Sequence, residues 1–250
     1  VLKTELHTHT DLDPQDRIPH TTWQLIDRAA DLGYRAIAVT LHDRYFDPGP
    51  FLSFARERGV VLLPGIERTI AGRHVLLINF GPECAAVRTL DDVARLRARA
   101  PGLVIAPHAY YPIGSSLRGR LVSHISLFDA IELNCMYTRH IDFNRRAIAT
   151  AAAYGKPVVG NTDLHRLDQL GPTYSLVDAE PDADAICDAI RAGRVEVRTE
   201  PIGLGQAGYT LARMVIGNVP AKVASRLFSR PSRIARGAWD SRPEGGPGQS

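Results

Sequence analysis

Thr22-Trp23-Gln24-Leu25-Ile26-Asp27-Arg28-Ala29-Ala30-Asp31-Leu32-Gly33-Tyr34-Arg35-Ala36-Ile37-Ala38-Val39-Thr40-Leu41-His42-Asp43 decides the architecture. Trp23, Leu25, Ile26, Ala29, Ala30 and Leu32 recur at helical spacing, and Gly33 stops the helix. Arg35–Leu41 is a short apolar run that reads as a buried strand, and it ends in His42-Asp43. A helix followed by a tight stop and an apolar strand is one unit of a β/α protein with a parallel sheet.

The same alternation extends in both directions. Leu2–Leu6 reads as a strand before the quoted stretch. After it come a short helix at Pro50–Arg58, a strand at Val60–Glu67, and a second strand at Arg73–Phe80 joined to it through Ala71-Gly72 as a hairpin. Further strands are expected at Leu103–Ala106, Ala130–Leu133, Pro157–Gly160, Thr173–Val177 and Arg194–Arg198. Helices are expected at Asp91–Arg99, Leu121–Leu127, Phe143–Tyr154 and Asp182–Ala192. Seven or eight such units in about 200 residues suggest a closed β/α barrel better than an open sheet.

The chain has 250 residues, of which 44% are hydrophobic and 23% charged, so it can bury a sizeable core and is not a disordered or collagen-like chain. No apolar run approaches the roughly 20 residues of a membrane span. The opening residues lack the apolar stretch of a signal peptide. Cys84, Cys135 and Cys187 are too few and too widely spaced for a disulfide framework, so a reducing, cytoplasmic location is expected. Residues 201–250 carry seven basic and two acidic side chains, a charge of +5, which leaves −2 on residues 1–200. The body therefore gives no strong nucleic-acid signal. The domain reading is a barrel over 1–200, a helical extension over 201–228 and a disordered basic tail over 229–250. Arg226, Arg230, Arg233 and Arg236 could touch a membrane, though a solvated tail is the simpler reading.

Chemistry collects at the strand ends. His7 and His9 end the first strand, His42 and Asp43 the second, and Glu67 the third. His74 opens the return strand of the hairpin, His108 follows Leu103–Ala106, and Asp163 and His165 follow Pro157–Gly160. In a barrel those ends share one rim, where residues distant in sequence converge. His7 and His9 stand at i and i+2, on one side of a strand, so both rings can reach one ion; Asp163 and His165 repeat the spacing. Imidazoles and carboxylates without a thiolate suit zinc, manganese or iron. Each residue alone has a bland reading as a cap or a solvated side chain, and the joint placement carries the metal reading. His20, His124 and His140 take the bland reading individually, with Thr21 and Thr22 as alternative helix caps beside His20.

Six segments resemble the polymerase and histidinol phosphatase family, the PHP domain. They are Glu5-Leu6-His7-Thr8-His9-Thr10, Ala38-Val39-Thr40-Leu41-His42-Asp43, Pro64-Gly65-Ile66-Glu67, His74-Val75-Leu76-Leu77, Ile105-Ala106-Pro107-His108 and Gly160-Asn161-Thr162-Asp163-Leu164-His165, in the family's order. The resemblance implies a distorted (β/α)7 barrel with two or three divalent metal ions at the C-terminal rim. It implies that His7, His9, Glu67 and Asp163 surround one ion. Glu67 would bridge to a second ion held also by His74 and His108. A third would take His42, His165 and an acid of the first loop. The chain departs from the family's Ser-Asp-Gly pattern there, with Asp11-Leu12-Asp13-Pro14-Gln15-Asp16; Asp16 is favoured and Asp13 stays open.

Such a centre suits phosphoester hydrolysis of a small phosphorylated substrate by a metal-bridging hydroxide. Asp163 or His165 could assist proton transfer. Arg44, Arg118 and Arg139, in loops after rim strands, are candidate phosphate donors, since guanidinium binds phosphate in a fork. The rivals are a hydrolase of non-phosphate bonds, an exonuclease-like phosphodiesterase and a non-catalytic metal-binding module.

Overall fold

The computed structural model describes residues 1–205, 207 and 208. The helical extension expected over 201–228 and the tail over 229–250 lie outside these residues, apart from the first few positions.

Among the described residues, ten strands form two five-stranded sheets. The first has the order β10 (Val195–Thr199), β9 (Thr173–Val177), β1 (Leu2–Thr8), β2 (Ala36–Val39), β3 (Val61–Leu63). Its β1–β2–β3 core is parallel, and β9 and β10 are antiparallel additions. The second has the order β4 (Gly65–Ile70), β5 (Arg73–Ile78), β6 (Leu103–Ala106), β7 (Ala130–Asn134), β8 (Val158–Asn161). It opens with an antiparallel meander, β4–β5–β6, and continues parallel through β7 and β8.

The closed (β/α)7 barrel expected from the sequence is therefore not what the chain forms. Two local causes are visible. Val60–Glu67, read as one strand, is broken by Pro64, and its halves enter different sheets. Pro64 has no N–H for a ladder, and Asn79 N donates to its carbonyl at 2.8 Å. Gly65 passes so close to the Val39 carbonyl that a Cβ there would lie 2.8 Å from the oxygen. At the other seam, side chains replace a ladder: Leu6 N donates to Asn161 Oδ1 at 3.0 Å and Gly160 N to Ser175 Oγ at 2.8 Å.

The sheets nonetheless share one core. Leu6, Ala36, Ala38, Leu76, Ile78, Leu103, Ile105 and Val159 join a single apolar cluster with Ile186 and Ile190 of α6 (Ala183–Arg191). The alternate residues pack outward. Ile37, Val39 and Leu62 meet α1 (Thr22–Asp31) and α2 (Leu52–Glu57). Val75, Leu77, Val104 and Ile131 meet α3 (Leu90–Arg97) and α5 (Asn144–Ala153). Fully burying each such aliphatic side chain contributes roughly 1.5–3 kcal/mol. The helix of the quoted stretch starts where Thr21, not Thr22, caps it, with Gln24 completing a capping box. The expected helix Leu121–Leu127 is split into α4 (Gly119–Ser123) and a 3-10 turn at Ile125–Leu127. No helix among the described residues is long and apolar enough to cross a membrane.

Candidate metal centre

The site lies where the two sheets meet. Single parallel bridges join Thr8 to Leu164 and His42 to Glu67, drawing the ends of β1 and β2 against β4 and the loop after β8. His9 N donates to Leu164 O and Glu67 N to Leu41 O. These bonds bring the predicted rim residues to one place without a closed barrel.

Four atoms form its centre: His7 Nε2, His9 Nε2, Glu67 Oε2 and Asp163 Oδ1. Both imidazole nitrogens stand 3.4 Å from Glu67 Oε2, and they stand 3.2 and 3.3 Å from Asp163 Oδ1. All four atoms are buried and none has a hydrogen-bond partner. One orphaned buried polar atom costs about 1–3 kcal/mol, so four aimed at one point are costly unless something fills it. Two imidazole nitrogens and two carboxylate oxygens are a fitting donor set for a divalent ion of the zinc, manganese or iron type.

Glu67 organises the rest. Its Oε2 also faces His42 Nε2 at 3.1 Å, and its Oε1 meets His74 Nδ1 at 2.6 Å and His108 Nε2 at 3.1 Å. Asp16 Oδ2 reaches His165 Nε2 at 3.0 Å and stands 3.8 Å from His42 Nδ1. All nine residues singled out as metal ligands thus fall into one connected cluster.

Two carboxylates orient the imidazoles from behind. Asp13 Oδ2 accepts from His9 Nδ1 at 2.9 Å, from His42 Nδ1 at 3.0 Å and from His42 N at 2.9 Å. Asp13 therefore directs the Nε2 atoms of both rings toward Glu67, while Asp16 takes the open side. Glu132 does the same for His7, accepting from its Nδ1 at 2.8 Å, and it also accepts from His108 N at 3.0 Å. Glu132 was not found by sequence reasoning, although a signal existed: Glu132 and Asn134 stand at i and i+2 on an otherwise apolar strand, the spacing that marked His7 and His9.

The backbone is strained at the same place. Asp43, His108 and Asp163 are non-glycine residues at φ 52°, 30° and 51°. Such conformations cost about 1–3 kcal/mol each and collect at functional sites. Asp43 is held by Arg68 Nη1 at 2.6 Å and Thr69 N at 2.8 Å, so this aspartate supports the loop and points away from the centre.

The three arginines have different fates. Arg44 turns its Nη1 to the Leu12 carbonyl at 3.2 Å, beside the first loop. Arg139 is exposed in the loop after β7. Arg118 lines a separate cavity to which none of the nine contributes. His20 is buried, with Nε2 bonded to the His9 carbonyl at 2.9 Å; it supports the ligand strand. His124 bonds the Arg120 carbonyl on its own helix, and His140 is exposed. Tyr111 donates to the Asn134 and Met136 carbonyls and serves packing.

Electrostatics follow from the crowding. Burial pushes the Glu67 carboxyl up, but the attraction of His7 and the hydrogen bonds from His108 and His74 outweigh it and hold it well below the usual range. Burial alone would lower His165, but its bond to Asp16 and the attraction of Asp163 raise it to about 9. His7, His42 and His108 are raised in the same way. A raised histidine stabilises the fold fully below its ordinary value of 6.5, and that stability is lost as pH rises through the folded value. Depressed acids act conversely, losing their contribution as pH falls below their ordinary values. The metal-free protein should therefore melt highest between about pH 4.5 and 6.5 and lower at pH 9. A saturating divalent ion should remove the alkaline decline, since bound imidazoles are already neutral. Melting curves at these pH values with and without metal check this; a metal-free protein equally stable at pH 6 and 9 would contradict it.

Known proteins share features of this chain and its fold. Residues 142–195 match the family model PHP_C, described as PHP-associated. No curated protein sequence matches the chain. Among solved structures, the fold is similar to a two-domain protein from Bacteroides vulgatus containing a predicted PHP-like metal-dependent phosphoesterase (TM-score 0.62, 17% identity, 80% of this chain). The chain spans 65% of that protein's length, less than two thirds. It is also similar to PsfC from Pseudomonas syringae (TM-score 0.59, 18% identity, 91% of this chain and 99% of that one). A third is the lesion-specific endonuclease PfuEndoQ from Pyrococcus furiosus (TM-score 0.54, 14% identity, 78% of this chain and 57% of that one). The match of residues 142–195 to the PHP-associated model and the fold shared with these structures support the PHP resemblance read from the motifs.

Proposed function

We propose that the chain is a metal-dependent phosphoesterase acting on a small phosphorylated substrate. The observation that carries this is the convergence of four unpartnered, buried donor atoms from His7, His9, Glu67 and Asp163. Divalent ions held there supply Lewis acidity, lowering the pKa of water and neutralising phosphate charge. Glu67 spans the centre, one oxygen toward His7 and His9 and the other toward His74 and His108, so it can serve two ions at once.

The side chains grade in exposure. His7, His9 and Glu67 are closed off at 0–1%, while Asp163 and Asp16 are 18% and 23% exposed and His165 is 23% exposed. Substrate and water therefore reach the centre from the Asp163–His165–Asp16 side. There Asp163 and His165 are placed to hold or pass a proton. His165 Nδ1 sits 2.8 Å from the Asp163 carbonyl, and its Nε2 faces Asp16, which orients the ring. Arg44 follows His42 beyond β2, Arg139 follows β7, which carries Glu132, and these two are the phosphate donors of this reading. The −2 charge of residues 1–200 favours a small substrate over a long polyanion.

The test is phosphate release from phosphomonoesters, nucleotides, histidinol phosphate and short oligonucleotides. The protein is stripped of metal and reloaded separately with manganese, iron or zinc. Metal-dependent release that disappears in His9→Ala is the expected result. Silence with every metal and substrate, while two or more ions stay bound by elemental analysis, would favour a different hydrolase or a binding module.

A further inference from the structure

We propose that the cavity lined by Arg118, Arg145, Arg146, Tyr110, Phe143 and Asp142 is a binding site for a phosphate-type oxyanion, separate from the metal centre. The cavity measures about 440 Å³. Arg118, Arg145 and Arg146 line it with one acid, Asp142, a formal charge of +2. Asp142 approaches Arg145 only to 3.7 Å, and among the described residues no carboxylate pairs with Arg118 or Arg146. Like charges gathered at one concavity repel each other, and a bound anion relieves that repulsion.

The donors are held in place beforehand. The Arg146 guanidinium lies 4.5 Å from the centre of the Tyr110 ring. That ring is anchored in turn by its hydroxyl, 2.9 Å from Thr150 Oγ1 on α5. A guanidinium fixed on an aromatic face loses little freedom when it binds. Arg118 has φ 50° and ψ −125°, a conformation that a side chain bearing a Cβ rarely adopts. It is kept there by its N–H bond to the Ala109 carbonyl at 2.8 Å. Strain of this kind persists only where the surrounding structure over-determines the residue, and it clusters at active sites and ligand clamps. The ten-residue helix α5 begins at Phe143 and Asn144 beside the cavity, and its positive end adds to the field.

The site is tied to the metal centre through the chain. The segment 108–118 starts at His108 and ends at Arg118, and Ser116 Oγ closes it back onto the His108 carbonyl at 2.7 Å. Oxyanion binding needs neither metal nor turnover, so it stands or falls apart from the phosphoesterase reading.

The test uses the zinc-loaded full chain titrated with inorganic phosphate, read on arginine Nε–Hε resonances. Arg118→Ala, Arg146→Ala and Arg145→Ala assign the three peaks; Arg145 is 80% exposed, so its replacement spares the fold. The Arg118 and Arg146 peaks should shift saturably. Each variant should weaken the response of the remaining arginines about tenfold, the loss of one charge-assisted fork. Arg58, which is ion-paired with Asp27 outside the cavity, should not move. Peaks that stay still up to about 20 mM phosphate, a concentration far above that of any specific site, would overturn the proposal. So would peaks that drift linearly together with that of Arg58. The wild-type titration alone decides this if a variant misfolds.

Discussion

A Glu67→Gln variant is expected to keep its fold, to hold at most one divalent ion, and to lose about a thousandfold or more of phosphoester turnover. The size follows from how much converges on this carboxylate. Oε2 faces His7, His9 and His42, and Oε1 faces His74 and His108. The two oxygens therefore divide five imidazoles into two sets, as a carboxylate shared by two ions must. Glutamine has nearly the same shape, so packing changes little. It replaces one anionic oxygen with an NH2 that donates where a lone pair is needed, and it removes the charge that compensates two cations. The apolar clusters lie elsewhere, so the far-ultraviolet circular dichroism should be unchanged. Elemental analysis of the purified variant, beside phosphate release with excess metal, checks the prediction. A variant that retained the full complement of ions and its activity would show that Glu67 is an orienting acceptor and not a ligand.

The convergence of the candidate ligands was legible in the sequence because strand ends are punctuated. Apolar runs such as Arg35–Leu41 and Leu103–Ala106 stop abruptly at polar residues, and the histidines stand at those stops. The i, i+2 spacing of His7 and His9 is a property of any strand, so it needed no knowledge of the partners. The closure of the sheets was not legible. Pairing is non-local, and the interruption at Pro64 and Gly65 sits inside a stretch whose apolar pattern continues unbroken from Val60 to Ile66. The antiparallel entry of β5 was announced by Ala71-Gly72, but its effect on the next pairing, β5 with β6, was not. The orienting acids were hidden for another reason. An acid on a strand reads equally as a solvated outward residue or as a buried acceptor, and only the arrival of His7 and His108 from other strands makes Glu132 the latter. Asp13 was seen, yet its role as an acceptor for two rings depends on His42, which arrives from β2. The arginines were the least legible. Long side chains reach in many directions, and Arg118 is carried by its strained backbone into a cavity that includes none of the ligands.

The acceptor that sequence reasoning missed yields the second large effect. Glu132 takes four donors: His7 Nδ1 at 2.8 Å, His108 N at 3.0 Å, Asn134 Nδ2 at 3.0 Å and Asn161 Nδ2 at 3.1 Å. It is fully buried, and burial would raise its carboxyl, but His7 holds it below the usual range. The bond from Nδ1 fixes the tautomer that leaves the His7 Nε2 lone pair facing the centre. In Glu132→Gln one side of the group becomes a donor, so at least one of the four donors loses its acceptor and His7 is free to turn or change tautomer. Metal affinity is expected to fall about 10–100-fold, the usual effect of losing an outer hydrogen-bond partner of a ligand. Glu132→Ala leaves buried donors and a space together, and is expected to lower stability by roughly 3–5 kcal/mol. Competition with a chelator measures the first effect and denaturant unfolding the second. The two variants separate orientation from support. If Glu132→Gln bound metal as tightly as the wild type while Glu132→Ala unfolded easily, Glu132 would serve the scaffold alone. A loss of affinity in Glu132→Gln with the unfolding midpoint of the metal-free protein nearly unchanged would mean that this carboxylate, set in an apolar strand, aims the first histidine of the centre.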